Sequence, residues 1–92
     1  MDLAENNVVS LIAGRKNGGT ETLYWKNISN GNPIIGNYAI VENMNGYDLI
    51  KIAGVVYTDI EKASYFSKTK YCNMKSVINF INKEEIENNK ED

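Results

Sequence analysis

Two apolar runs that meet at the dipeptide Asn45-Gly46 constrain the fold of this chain more than any other feature. Residues 37–44 and 47–57 are rich in β-branched and aromatic side chains, which favour extended strands. Asn and Gly reach positive φ at low cost, and a two-residue type I′ turn needs positive φ at both positions. The sequence therefore predicts a central β-hairpin that reverses at Asn45-Gly46.

The register expected for this hairpin sorts its side chains onto two faces, since alternate residues of a strand point to opposite sides. With the turn at this dipeptide, Met44 lies opposite Tyr47. The face predicted to form the core holds Ala39, Val41, Ile50, Ile52 and Val56. The other face is mixed, so we expect it to be half-covered or used for binding; it holds Tyr38, Ile40, Glu42, Met44, Tyr47, Leu49, Lys51, Ala53, Val55 and Tyr57. Gly54 interrupts the second strand, which predicts a bend or bulge.

A first hairpin is predicted upstream of the central one. Residues 8–13 and 20–26 have β-branched and aromatic content and are separated by the basic, glycine-containing segment 14–19, which we expect to be a flexible tip. Trp25 is predicted to anchor the core.

The loop 27–36 contains the only proline of the chain and the pair Ile34-Ile35. We expect these two isoleucines to tuck under the fold. Residues 1–7 carry no strong pattern and are expected to be frayed or to form a short helical turn. The length of 92 residues predicts a single domain, 1–92.

A short helix is predicted after the central hairpin. The spacing of Thr58 and Glu61 matches a capping box, in which the threonine hydroxyl accepts a hydrogen bond from the glutamate amide. The helix is expected to end near Ser67. Its predicted buried stripe consists of Ile60, Ala63 and Phe66.

The C-terminal part of the chain predicts one more strand and an acidic end. Residues 74–81 read as the last strand, and Asn82 is placed to cap a short helix to about residue 89; segment 82–92 is thus an acidic helix or tail. The whole pattern predicts a mainly β protein, a small five-stranded SH3-like barrel with one short helical insertion and a short C-terminal helix. An OB-like barrel is the alternative, distinguished by a longer helix between the third and fourth strands.

Composition bears on function mainly through residues that are missing. The chain has no His and a single Cys, Cys72, which argues against a disulfide framework and against the usual zinc and Cys-His chemistries. The usual acid-base and phosphate-loop groups are also missing, so we expect no catalytic residues, no metal and no cofactor. Neither a membrane span nor a signal peptide is evident. We therefore expect a cytoplasmic protein that is not an enzyme.

Two groups of residues are candidates for binding. The first is the mixed face of the central hairpin, where Tyr38, Tyr47 and Tyr57 surround Lys51 in a composition typical of binding hot spots. The second combines cations with an aromatic ring, as in sites for anionic partners, and consists of Arg15, Lys16, Lys51, Lys68, Lys70 and Tyr71. The net charge of −2 opposes general nucleic-acid binding.

The order of short motifs between about residue 23 and residue 90 resembles the small SH3/KOW-like barrel proteins of bacteriophages. The motifs are residues 24–26, 36–42, 45–47, 51–56 and 75–78, followed by a charged helix from Lys83. This chain departs from the pattern in carrying Asn37 where the family usually has Asp, and in its long first hairpin. The resemblance implies a phage or mobile-element origin and no enzymatic activity.

Three functional hypotheses follow from these observations. The first is a protein that docks on a host protein and inhibits it, as phage-encoded counter-defence proteins such as anti-CRISPRs do in the host cytoplasm. The alternative is a small barrel that binds nucleic acid or a nucleotide. The third is self-association into a homo-oligomer through strand edges or through the last helix.

Overall fold

One antiparallel sheet and one short helix make up the part of the chain that the computed structural model describes, residues 8–29 and 31–84. The elements are β1 (Val8–Lys16), β2 (Leu23–Lys26), β3 (Tyr38–Asn43), β4 (Gly46–Asp59), α1 (Ile60–Ser67), a 3-10 turn (Tyr71–Asn73) and β5 (Val77–Ile81). The strand order is β2-β1-β4-β3-β5. The predicted mainly β fold with five strands and one short helix is confirmed. The sheet is open, so the SH3-like barrel is not confirmed.

The central hairpin forms as predicted, but it turns at Met44-Asn45, one residue earlier than expected. Asn43 pairs with Gly46, and Gly46 has a φ of 138°, whereas Asn45 is not among the residues with positive φ. The type I′ prediction is therefore wrong. The side chain of Asn43 accepts a hydrogen bond from the backbone N–H of Asn45 at 2.8 Å, which holds the turn and leaves positive φ to the glycine alone.

The main core lies on one face of the sheet and contains residues from all five strands. Its buried members are Ile12, Trp25, Ala39, Val41, Ile50, Ile52 and Val77. Trp25 is the predicted anchor, and four of the five residues predicted for the core face are present. The register differs from the predicted one by two positions, and a shift of two leaves every side chain on its original face.

A β-bulge in β4 separates the two halves of this strand. The pairing with β1 changes from Ala13 opposite Gly54 to Gly14 opposite Ile52, which leaves Ala53 without a partner. The predicted irregularity at Gly54 is confirmed. One extra residue on a strand moves each later side chain to the other face.

The effect of the bulge is clear at the two valines that follow it. Val55 packs on the main core, whereas Val56 packs against a second cluster on the opposite face of the sheet. The prediction that Val56 shares the core face is therefore wrong, because the predicted alternation continued unbroken through Gly54.

Helix α1 begins at a different cap from the one predicted. Asp59 is the N-cap, and its Oδ1 accepts a hydrogen bond from the backbone N–H of Lys62 at 2.7 Å. Thr58 instead belongs to β4, where it pairs with Val9. The carboxylate also lies at the positive end of the helix dipole. The predicted helix end at Ser67 is confirmed.

Helix α1 covers part of the sheet face opposite the main core, called the outer face below. Ala63 is fully buried there, whereas Ile60 and Phe66 are exposed, so only one residue of the predicted stripe is buried. The ring of Phe66 still contacts Tyr24, with 5.3 Å between the centroids. The second cluster consists of the buried residues Leu11, Ala63 and Met74, with Val9, Tyr24, Val56 and Tyr71 packed against it.

The loop before β3 does not supply an apolar foot. Ile34 and Ile35 are 52% and 67% exposed, so the prediction that they tuck under the fold is wrong. The backbone N–H of Asn37 donates to the carbonyl of Ile34 at 3.0 Å, and the N–H of Gly36 donates to the carbonyl of Ile52 at 3.0 Å. The segment is thus hydrogen-bonded to the central strand β4 just before β3 begins, and both isoleucines remain on the surface.

The two edge strands approach each other at one end of the sheet. The N–H of Lys26 donates to the carbonyl of Lys75 at 2.9 Å, and Lys26 forms a single parallel bridge with Ser76. Further along, β5 is confirmed as the last strand, and Asn82 Oδ1 accepts a hydrogen bond from the N–H of Glu84 at 2.8 Å, as an N-cap does. The rest of the predicted acidic helix, and residues 1–7, lie outside the described residues.

Candidate functional site

A concave surface on the sheet brings together four of the residues predicted for binding. We call it the basic groove, and its volume is ≈ 1040 Å³. The groove opens between the end of β1, the middle of β4 and the start of β3. The residues on which its chemistry depends are Arg15, Lys16, Ile35, Tyr38, Leu49 and Lys51.

The strand register places two cations directly opposite each other in this groove. Lys51 of β4 pairs with Arg15 of β1 on one side and with Tyr38 of β3 on the other. Like charges at directly opposed positions of a sheet destabilise it. Arg15 Nε donates to Thr22 Oγ1 at a long distance of 3.4 Å, and this neutral partner does not offset the repulsion.

The third cation of the groove is already paired. Lys16 Nζ lies 3.3 Å from Asp48 Oδ2, and the side-chain N–H of Asn43 donates to the same carboxylate oxygen. The hydrogen bond from Asn43 lowers the pKa of Asp48 most; partial desolvation opposes this, and Lys16 lowers the pKa further. Neither Arg15 nor Lys51 has a carboxylate partner among the described residues.

Next to the groove, the outer face continues as a patch with aromatic and aliphatic character. Ile40 and Leu49 are direct cross-strand partners, and Tyr47 pairs with Glu42 one step closer to the turn. Tyr47 is 68% exposed, and Leu49 is also exposed. We call Ile40, Tyr47 and Leu49 the hairpin patch. Helix α1 contacts β1, β2 and β4, but it leaves Tyr47 and Leu49 exposed; Ile40 is half-buried.

Tyr57 does not belong to this patch, although the sequence pattern grouped it with Lys51. It follows the bulge and pairs with Ser10 near the far end of β4. Because the bulge reverses the alternation, Tyr57 lies on the same face as Val55 and not on the outer face. Its ring is 71% exposed, but it is separated from the groove by the sheet itself.

The remaining predicted site residues lie around the end of α1 and are not part of the groove. Lys68 is the C-cap of the helix in the left-handed conformation, with a φ of 61°, and lines a separate concavity of ≈ 560 Å³ that Lys16 also borders. Lys70 precedes the 3-10 turn. Tyr71 packs against the second cluster, and Lys26 Nζ lies 5.1 Å from the centroid of its ring. Its ring therefore serves in packing.

Comparison with known proteins adds no family to this description. No protein-family model, curated protein or solved structure matches the chain. The phage resemblance thus depends on the order of motifs in the sequence, and the functional argument depends on the surfaces described above.

Two further observations concern possible metal sites and possible membrane-spanning helices. In residues 8–29 and 31–84, no group of three or more His, Cys, Asp and Glu side chains could hold a metal ion, and Cys72 is exposed. Over the same ranges, no helix combines the length and the apolar character that a membrane crossing requires.

Sequence reasoning missed one component of the groove. Ile35 lies at its edge with Tyr38, although the sequence pattern assigned this isoleucine to the core. Its position in an irregular segment, two residues after the only proline, is the signal that could have identified it, because loops run over the surface.

Proposed function

We propose that this chain is a non-catalytic phage or mobile-element protein that docks on a host protein and inhibits it, in the manner of counter-defence proteins such as anti-CRISPRs. The observation that carries the proposal is the exposed pair Tyr47 and Leu49 of the hairpin patch, beside two cations that have no carboxylate partner among the described residues. An exposed tyrosine with aliphatic neighbours and an adjacent arginine has the composition of an interface hot spot.

The position of α1 supports the choice of this surface. The helix packs over the second cluster, around Ala63, and leaves Tyr47 and Leu49 exposed. The side chains of the patch project from paired strands and need little reordering of the backbone on binding, so less of the interaction energy is lost to entropy.

The charges beside the patch indicate the partner's chemistry. Arg15 and Lys51 lie at its border without a carboxylate partner among the described residues. A host protein with an acidic surface would relieve their repulsion, and opposite charges at the rim of an interface raise the association rate. Binding is therefore expected to weaken as ionic strength rises to about 0.1 M and beyond, because the screening length is about 10 Å at that concentration.

The test compares wild type, a double variant of the hairpin patch and a single control variant. For each, we measure how much host protein is captured from a lysate and then the activity of the captured protein. We expect Tyr47→Ala with Leu49→Ala to abolish capture and inhibition. Tyr65→Ala is the matched control, because Tyr65 is similarly exposed but lies on α1 and not on the strands that form the patch. Equal capture by wild type and the double variant, or capture without inhibition, would contradict the proposal.

We infer further that the fold is an incompletely closed member of the small SH3-like barrels. Two observations support this: the main core draws on all five strands, and the bridge between Lys26 and Ser76 joins the edges at one end. The host cytoplasm is the compartment in which such an inhibitor would meet its target.

A second candidate function is binding of nucleic acid or a nucleotide. The strand pairing favours this function, because Lys51 lies between Arg15 on one neighbouring strand and Tyr38 on the other. Cations can bind the phosphates of such a ligand while an adjacent aromatic ring stacks on its base. Titration with labelled oligonucleotides and nucleotides tests it, and saturable binding that weakens steeply with salt is the expected result.

A further inference from the structure

We propose that the basic groove is a nucleotide site, in which Arg15 and Lys51 hold the phosphate and Tyr38 stacks on the base. This inference rests on the second candidate function and narrows it to a small ligand with one phosphate group. It assigns the two cations to the phosphate and the tyrosine ring to the base.

The charge at the centre of the groove matches a phosphate monoester. Two cations lie opposite each other on neighbouring strands, and neighbouring strands are about 4.8 Å apart. A phosphate monoester carries about −1.5 to −2 charges near neutral pH. One phosphate group between the two side chains would therefore replace a repulsion with two attractions.

The two cations also differ in a way that suits one phosphate. The guanidinium of Arg15 presents a planar fork that can donate two parallel hydrogen bonds to phosphate oxygens. The ammonium of Lys51 acts as a compact charge and has three donors. Both side chains line the groove, so both can reach the same anion.

The neighbours of Tyr38 provide a surface for the base. Tyr38 is the direct partner of Lys51 on β3, so the ring lies one strand away from the proposed phosphate position, about 4.8 Å in backbone spacing. Ile35 and Leu49 also line the groove and add apolar surface. The volume of ≈ 1040 Å³ slightly exceeds the range of about 300–1,000 Å³ that is typical of small-molecule sites, so the groove is large enough for a nucleotide.

The distribution of the other cations argues against an extended strand of nucleic acid. Lys16 lines the groove but is paired with Asp48. None of the other described cations lines the groove: Lys26, Lys62, Lys68, Lys70, Lys75 and Lys83. A nucleic-acid strand needs a row of positive charges that follows its successive phosphates. The groove offers two unpaired charges at one place, which fits one phosphate better than several.

The experiment is calorimetric titration of the full chain with AMP, GMP, CMP and UMP, and separately with inorganic phosphate. Saturable binding of at least one nucleotide is expected. Arg15→Gln and Lys51→Gln should each weaken it about tenfold or more, the usual effect of losing a charge-assisted hydrogen bond. Lys62→Gln is the matched control, since it removes the same charge from an exposed position outside the groove. This variant should bind the nucleotide with the same affinity as wild type.

A Tyr38→Leu variant separates the two parts of the site. It should weaken nucleotide binding several-fold, because stacking is lost, and leave inorganic phosphate binding unchanged. Circular dichroism of each variant checks that the fold is retained.

Three outcomes would overturn the inference. If none of the four nucleotides binds at millimolar concentration but oligothymidylates bind with affinity that rises with length, the second candidate function survives and the nucleotide site does not. If neither nucleotides nor oligonucleotides bind, both fail. If a tetraglutamate peptide binds as tightly as the best nucleotide and depends equally on Arg15 and Lys51, the groove recognises acidic protein surface and not phosphate.

Discussion

A β-carbon on Gly14 would lie 2.5 Å from Cδ1 of Ile50, so the absence of a side chain at Gly14 allows β1 to pack against the main core. Ile50 is almost completely buried and cannot move its methyl group aside at low cost. The same β-carbon would lie 3.0 Å from the carbonyl oxygen of Lys51. We expect Gly14→Ala to lower the free energy of unfolding by about 1–3 kcal/mol, as overpacking does.

Gly54 provides the control for this prediction. Beyond its two chain neighbours, no residue has a heavy atom within 4 Å of a β-carbon built at Gly54, so Gly54→Ala should change the free energy of unfolding by about 0.5 kcal/mol or less. Urea unfolding followed by the fluorescence of Trp25 measures both variants, because this buried residue is the only tryptophan. If Gly14→Ala and Gly54→Ala unfold at the same urea concentration, the backbone at Gly14 does not lie close enough to Ile50 to exclude a β-carbon.

The start of α1 gives a prediction that distinguishes two neighbouring residues. Asp59→Ala should lower the free energy of unfolding by about 1 kcal/mol, because it removes the acceptor for the N–H of Lys62. Thr58→Ala should cost about 0.5 kcal/mol or less, since Thr58 pairs with Val9 in the sheet and is not the N-cap. Asp59→Asn keeps a cap and should recover most of the loss. A larger effect at Thr58 than at Asp59 would restore the capping box predicted from the sequence.

The pKa of Asp48 predicts a pH dependence of stability with a definite sign. This pKa is lowered from its ordinary value of 3.8, so the folded state binds the proton less well than the unfolded state does. The stabilisation by ionised Asp48 is therefore complete above pH 3.8 and is lost as the pH falls through the lower folded value. The difference in unfolding free energy between wild type and Asp48→Asn should shrink over that acidic range.

The opposed cations predict a variant that is more stable than wild type. Lys51→Glu places a carboxylate opposite Arg15 and should raise the free energy of unfolding by about 0.2–1 kcal/mol. The gain should disappear in about 1 M salt, where the screening length is about 3 Å. If Lys51→Glu is no more stable than Lys51→Gln at low salt, the two side chains do not interact across the strands.

Local pairing could be predicted from the sequence because the hydrophobic alternation is local. The apolar positions between Ala39 and Ile52 identified the core face of the central hairpin correctly, even though the turn lies one residue earlier. An error of two positions in register does not change which face is buried. Trp25 was predicted as a core residue for the same reason, because it alternates with Tyr24 on a short strand.

Features that depend on distant strands could not be predicted in this way. Nothing in the adjacent, equally apolar Val55 and Val56 indicates which one faces the core; the bulge opposite Ala13 decides it. The pairing of Arg15 with Lys51 likewise requires β1 to lie beside β4, which joins residues 36 positions apart in the chain. The sequence identified both cations as candidates but did not predict that they are neighbours.

The bulge finally predicts which tyrosine does not take part in binding. Tyr57 lies on the face opposite Lys51, although it is as exposed as Tyr47. Tyr57→Ala should therefore leave both protein capture and nucleotide titration unchanged, whereas Tyr47→Ala should reduce protein capture and Tyr38→Leu should reduce nucleotide affinity. All three are measured with the same protein preparations, and the unfolding free energy of each serves as the control for folding. A loss of binding in Tyr57→Ala as large as that in either other variant would place the partner on the wrong face of the sheet for both proposals.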